Sequence, residues 1–120
     1  GLERQVLPTP YQVALGRAII DAGADVVWGH HPHVLQGAEI YRGKPILYSM
    51  GNLVSPRPTS SGLIELTFTG STCTSFRFLP HAVSGGRVAP GGSQAAFRQL
   101  CSLLQRKYPA AESRVPVIGR

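Results

Sequence analysis

At 120 residues, with 42% hydrophobic and 15% charged residues, the chain is long enough for one domain with a modest core and too apolar for a disordered segment. No apolar run approaches the roughly 20 residues of a membrane span, and no signal peptide is visible at the start. The net charge of +6 comes mostly from arginine and favours polyanions, an anionic polymer or a phosphate-bearing substrate among them; the arginines are scattered, with no stripe beside aromatic platforms, which argues against nucleic acid.

The chain opens at Gly1 without a Met, in mid-element, so further sequence upstream is expected. Thr9-Pro10 reads as a helix start, with Thr9 as N-cap and Pro10 at the first helical position. Tyr11, Ala14, Leu15, Ala18, Ile19 and Ala22 then fall at helical spacing and predict one apolar face, with Gly23 closing the helix. Asp25 to Gly29, around the apolar run Val26-Val27-Trp28, reads as a buried strand. Helix, short loop and apolar strand in succession are the rhythm of a layered α/β fold.

That strand runs into Gly29-His30-His31-Pro32-His33, which holds three of the chain's four histidines. Alternate residues of an extended segment point to opposite faces, but a bend at Pro32 lets His31 and His33 converge, and Gly29 permits close backbone approach. Imidazole nitrogens placed this way suit one metal or two adjacent metals. Surface histidines, or rings bonded to backbone carbonyls, are the plainer reading. The carboxylates are few: Asp21 and Asp25 read as turn and cap residues, and Glu3, Glu39, Glu65 and Glu112 form no cluster. Two imidazoles alone are a weak site, so further ligands are expected from outside this chain.

A hairpin follows, with arms Ala38 to Tyr41 and Pro45 to Met50 and a turn at Arg42-Gly43-Lys44. Ser55 to Ser61 reads as a loop. Leu63 to Thr69 alternates, with Ile64, Leu66 and Phe68 on one face, and turns at Gly70-Ser71 into a partner strand carrying Thr74, Phe76 and Phe78. Ser84 to Gly92 reads as a Gly-rich linker. Ser93 caps a last helix with Phe97, Leu100, Cys101, Leu104 and Tyr108 on its buried face, closed by Arg106, Lys107 and Pro109. The domain is expected to end at 109, leaving 110–120 as a poorly ordered tail. Cys73 and Cys101 show no metal-type spacing; Cys101 sits on the helix's apolar stripe, and pairing cannot be inferred. His81 is expected at the surface. Glu39 is expected as a solvated hairpin residue or as the hydrogen-bond partner of a ligand histidine. Tyr48 and Ser49 are expected to pack within the strand, and Lys44 to sit at the hairpin tip.

The stretch Gly23 to Gln36, with Gly29-His30-His31-Pro32-His33-Val34-Leu35-Gln36 at its centre, resembles the C-terminal signature of the CapA proteins. These are poly-gamma-glutamate capsule biosynthesis proteins within the calcineurin-like metallophosphoesterase superfamily. The continuation Glu39 to Leu53, with Tyr48-Ser49-Met50-Gly51-Asn52, is similar to the same family in order and spacing. Upstream, Gly1, Glu3, Pro8 and Gln12 resemble the segment that follows a His-Trp there, and the likeness extends more weakly through Leu63 to Leu79.

The resemblance implies the C-terminal part of a four-layer α-β-β-α sandwich with two divalent metals at the strand ends. It implies His31 and His33 as metal ligands, one on each metal, with His30 in the spacer position touching substrate or solvent. Asn52 either lines the site as a catalytic group or serves as a turn residue after Gly51. The family's Asp-x-His, Gly-Asp and Gly-Asn-His-Asp/Glu motifs do not occur here, and Gly51-Asn52-Leu53 is not one of them. The function implied is a metal-dependent hydrolase of phosphoesterase type in capsule synthesis, inactive as this piece alone; the alternative is a non-catalytic factor that binds or exports the capsule polymer. Partners implied are poly-gamma-glutamate or a phosphate-bearing substrate, and other capsule-synthesis proteins. The full-length protein is expected at the membrane or outside the cytoplasm.

Overall fold

The structure is a computed structural model and describes residues 5–52 and 59–118. The fold is α/β. In chain order its elements are α1 (Pro10–Asp21), β1 (Val27–Trp28), β2 (Ala38–Tyr41), β3 (Lys44–Leu47), β4 (Thr59–Thr69), β5 (Thr72–Ser84), β6 (Arg87–Pro90), α2 (Gln94–Lys107) and β7 (Ser113–Arg114). One sheet is mixed, in the order β1-β3-β2-β7; the other is antiparallel, in the order β4-β5-β6. No helix among the described residues is long and apolar enough to cross a membrane. Gly1, Glu3, Leu53 and residues 55–58 of the expected loop lie outside the described residues.

Helix α1 starts where the sequence puts it. The Thr9 hydroxyl accepts the Gln12 backbone N–H while the Gln12 side chain accepts the Thr9 N–H, a reciprocal capping box. Its buried face differs from the expected one. Val13, Gly16 and Ile20 are buried, whereas Tyr11 is 74% exposed and Leu15 and Ile19 also face out. The helix carries two stripes, and close approach chooses between them. A Cβ at Gly16 would stand 3.2 Å from Ile46 Cγ2, so this face settles directly on β3, and from it Arg17 reaches Glu39. Strand β1 is likewise not buried. It pairs with β3 in parallel along one side only, and Trp28 is 52% exposed.

Alternation along β2 and β3 divides the interior. Ala38, Ile40 and Leu47 cluster with Phe76, Phe78, Phe97 and Cys101. Ile46, Tyr41 and Tyr48 cluster with Val13, Ile20 and Leu104. Helix α2, capped by the Ser93 hydroxyl on the Ala96 N–H, buries Phe97, Cys101 and Leu104 as its spacing predicts, and so contributes to both clusters. The turn between β2 and β3 is Arg42-Gly43, both with positive φ (51° and 79°), the mirror-image turn that matches strand twist.

The second sheet is longer than its alternation suggests. Thr59 to Ser61, expected in a loop, open β4 and pair in turn with Val83, Ala82 and His81. A register shift at Thr67/Phe68 puts Thr74 out of phase, so it is exposed while Phe76 and Phe78 are buried. The expected linker is a second hairpin: Gly85 and Gly86 take φ of 57° and 74°, and β6 pairs back onto β5.

The expected tail is part of the domain, which does not stop at 109. Strand β7 pairs antiparallel with β2, Ile40 opposite Arg114 and Tyr41 opposite Ser113, and Ile118 is buried in the core. The free side of β2 supplies hydrogen bonds that a short polar segment can take, a gain no local pattern signals.

Cys101 is free and buried, its sulfur accepting the Ala38 N–H at 3.3 Å. Burial pushes its thiol up to about 11. An unfolded thiol ionises near about 8.5, so folding holds a proton that the unfolded chain has lost. The resulting stability is fully present below that pH and is lost as pH rises toward about 11. The stability difference between wild type and Cys101→Ala should therefore shrink by up to about 1.4 kcal/mol per pH unit above about 8.5, read from urea midpoints at pH 7, 9 and 10. A difference constant with pH would contradict the buried neutral thiol.

Candidate functional site

The histidine loop is held at both ends. At its start the Gly29 N–H donates to the Leu47 carbonyl at 2.6 Å, continuing the β1–β3 ladder. A Cβ at Gly29 would stand 2.6 Å from the Tyr48 carbonyl oxygen, so only glycine allows this approach. At its end Leu35 pairs with Met50 in an isolated antiparallel bridge, and the Gln36 N–H donates to the Ser49 carbonyl at 2.9 Å. The Gln36 side chain is fully buried and donates to the Gln5 carbonyl at 2.7 Å. Pro32 is also fully buried and pins the loop between two exposed histidines.

The backbone of both histidines is left-handed, with φ of 107° at His31 and 61° at His33. His33 lies where histidine is tolerated; His31 lies further out. Such conformations cost on the order of 1–3 kcal/mol each and persist where the surroundings over-determine them, which the two anchored ends and buried Pro32 do here. The consequence is the convergence expected from the Pro32 bend: the rings of His31 and His33 stand 6.1 Å apart between centroids, tilted by 51°. His30 is exposed on the same loop.

Asn52 joins them. The Gly51 N–H donates to the Ser49 hydroxyl at 3.1 Å, and Gly51 turns the chain at φ 74°. This turn brings the Asn52 Oδ1 to 2.9 Å from His33 Nδ1. The two residues stand 19 positions apart and are brought together by the Leu35–Met50 pairing, a tertiary contact that residue spacing does not reveal.

Among the described residues, four carboxylates are engaged away from this loop. Asp25 opens the turn before β1 and pairs with Lys44 at 3.0 Å; Lys44, the first residue of β3, also bonds the Ser71 carbonyl. Asp21 pairs with Arg42 at 3.2 Å and accepts from the Tyr41 hydroxyl. The Asp21 charge holds the Arg42 guanidinium above its usual range. Glu65 pairs with Arg77 at 2.8 Å.

Glu39 corrects both of its expected roles, being 1% exposed and bound to no histidine. Arg17 donates to it at 3.0 Å, Tyr48 at 2.5 Å and Ser113 at 2.5 Å, so it ties α1, the segment just after β3 and β7 together. Burial first, then the Glu39 charge, push the Tyr48 phenol far above its ordinary range, which keeps it a donor. Tyr48 and Ser49 thus do more than pack. His81, expected at the surface, is 7% exposed, and its Nε2 has no hydrogen-bond partner among the described residues.

Among the described residues no group of three or more His, Cys, Asp and Glu side chains is placed to hold a metal ion. The loop nonetheless fits the nitrogen part of such a site. His31 and His33 are exposed and convergent, and Asn52 engages the Nδ1 of His33.

The α/β fold, with a Gly-His-His-Pro-His loop at the end of a strand, is of the metallophosphoesterase-like class. Residues 1–57 match the family described as bacterial capsule synthesis protein PGA_cap. The chain is 52% identical over 108 residues to a capsule biosynthesis protein CapA of Bacillus anthracis, covering 83% of this chain and 26% of that protein. It is 38% identical over 87 residues to a PGA biosynthesis protein CapA of Bacillus subtilis, covering 69% and 23%. It is also 53% identical over 91 residues to a probable polyglutamine synthesis accessory protein of Mycobacterium tuberculosis, covering 66% and 24%. The chain belongs to the CapA family, of which it carries a part, and it spans about a quarter of the length of these curated relatives.

Proposed function

We propose that this chain supplies the histidine donors of a divalent-metal site in a full-length protein of poly-gamma-glutamate capsule synthesis. The observation that carries this reading is the His31-Pro32-His33 loop, whose backbone strain is spent on bringing two exposed imidazoles together. Bound there, one or two divalent cations would supply Lewis-acid stabilisation of a phosphoryl or acyl oxygen and activation of water. His31 and His33 would hold them through ring nitrogens. His30, exposed beside them, would meet the substrate or solvent. Asn52 would act at the site through His33. The remaining ligands, carboxylates above all, would come from sequence outside this chain; Asp21, Asp25, Glu39 and Glu65 are committed to ion pairs.

The relatives' names support a role in capsule or polyglutamate synthesis and leave the chemistry open. The net charge of +6 supports a second reading, a non-catalytic factor that binds or exports the anionic polymer at the membrane or outside the cytoplasm. One variant separates the two. In the full-length protein, His33→Ala should lower metal content, measured by elemental analysis, and abolish phosphoester or amide hydrolysis, with the far-UV spectrum unchanged. Full turnover in the variant overturns the catalytic reading. A parent without turnover whose poly-gamma-glutamate binding survives the substitution favours the second.

A further inference from the structure

At the end of the mixed sheet away from the histidine loop, a cavity of about 300 Å3 opens between the two sheets. Gly43 of the β2–β3 turn, Thr74 near the start of β5 and Arg114 of β7 line it, whereas Gly29 is held at the other end of β3, by Leu47. Alternation sets the direction of Arg114. Ser113 turns its hydroxyl to Glu39, so Arg114 lies on the opposite face, beside its partner Ile40 in the cluster between the sheets. Ile40 and Phe76, each 5% exposed, give the cavity an apolar side. Another part of the lining is a bulge. The register shift at Thr67/Phe68 leaves Thr74 without a cross-strand partner, and Lys44 pins the turn before it by donating to the Ser71 carbonyl. The ion pairs among the described residues are made by Arg17, Arg42, Lys44 and Arg77, and the exposed Arg114 is in none of them.

The geometry points to a carboxylate-binding site here: Arg114 takes both oxygens of one carboxylate in its planar fork, and the ligand's short aliphatic stem lies against Ile40, Phe76 and Val117. A guanidinium presents paired N–H donors at the spacing of a carboxylate's oxygens. The volume is at the small end of ligand sites and suits a molecule of amino-acid size. Among the described lining residues Arg114 carries the charge, which balances one carboxylate, whereas a phosphate monoester brings close to two negative charges. The site depends on neither reading of the histidine loop. Such a carboxylate occurs free, as in glutamate, and along a chain, as in poly-gamma-glutamate; the chemistry is shared, and the test separates the sources.

The test titrates the full-length protein with glutamate and with poly-gamma-glutamate by calorimetry, in about 150 mM NaCl to screen diffuse attraction between surface charges. Arg114→Met should weaken binding roughly 10–100-fold, the worth of a charge-assisted contact, and Arg114→Lys, which keeps the charge without the fork, should restore only part of it. Arg98→Met removes the same charge from the exposed side of α2 and should leave the affinity unchanged. In wild type labelled with nitrogen-15 arginine, the Arg114 Nε–H resonance should move as ligand is added, a readout that needs no variant to fold. Glutamate binding lost in Arg114→Met supports the site as one for a free carboxylate; polymer binding alone, lost in the same variant, supports it as one for a chain. Equal losses from Arg98→Met and Arg114→Met, a stationary Arg114 resonance, or inorganic phosphate bound more tightly than either ligand overturns the proposal.

Discussion

Arg17→Met should lower the unfolding free energy by about 3–5 kcal/mol, the range for stranding a buried charge. Glu39 is 1% exposed, and Arg17 is its ion-pair partner, donating through Nε at 3.0 Å with a terminal nitrogen 3.0 Å from the same carboxylate oxygen. Methionine matches the apolar stem of arginine and removes the charge, so the loss measures the stranded carboxylate more than lost packing. Tyr48 and Ser113 still donate to Glu39 in the variant, but neither carries positive charge. Arg17→Met/Glu39→Gln should recover most of the loss, because a neutral amide still offers an oxygen to both hydroxyls and leaves no buried ion. Urea unfolding of the four proteins of this cycle reads the coupling directly. A single-variant loss below about 1 kcal/mol would place the pair with solvent-screened surface bridges instead.

Phe97→Ala should cost about 3–5 kcal/mol, the range for a fully buried aromatic. Phe97 is 0% exposed, and its ring stacks on Phe78 with centroids 4.0 Å apart and planes within 9°. Phe76 flanks the same ring at 6.4 Å. The substitution removes the shared contact between α2 and β5, so the damage should be directional. Amide exchange should quicken in α2 and along β4–β5 more than in α1, whose cluster uses Leu104 instead. Uniform quickening across all elements would show that the two clusters open as one unit.

Much of the fold is legible where local chemistry decides it. The Thr9-Pro10 start, the Arg42-Gly43 turn, the Gly70-Ser71 turn and the Phe97-Cys101-Leu104 stripe each follow from a few neighbouring residues. What stays hidden is decided by partners far along the chain. Helix α1 offers two stripes, and the lack of a side chain at Gly16 together with the Arg17–Glu39 bond selects the less apolar one. Residues 113–118 look like an unstructured end until the open side of β2 is known. The site divides the same way. His31 and His33 announce themselves by type and spacing, whereas Asn52 reaches His33 only through a bridge between distant segments.

The polar ties of α1 also order events during synthesis. Arg17 donates to the carbonyl of Tyr108 at 2.5 Å, 91 positions later, and the Tyr108 hydroxyl donates to the carbonyl of Pro8 at 2.7 Å, 100 positions earlier. At ribosomal speed the partner residues emerge on the order of 5–20 s after the helix does. Throughout that interval α1 can already settle on β3 and pair Arg17 with Glu39, while the ties of Arg17 and Pro8 to Tyr108 stay open. Closure of so wide a loop is entropically slow, so these two ties form last, once the final turn of α2 has been made.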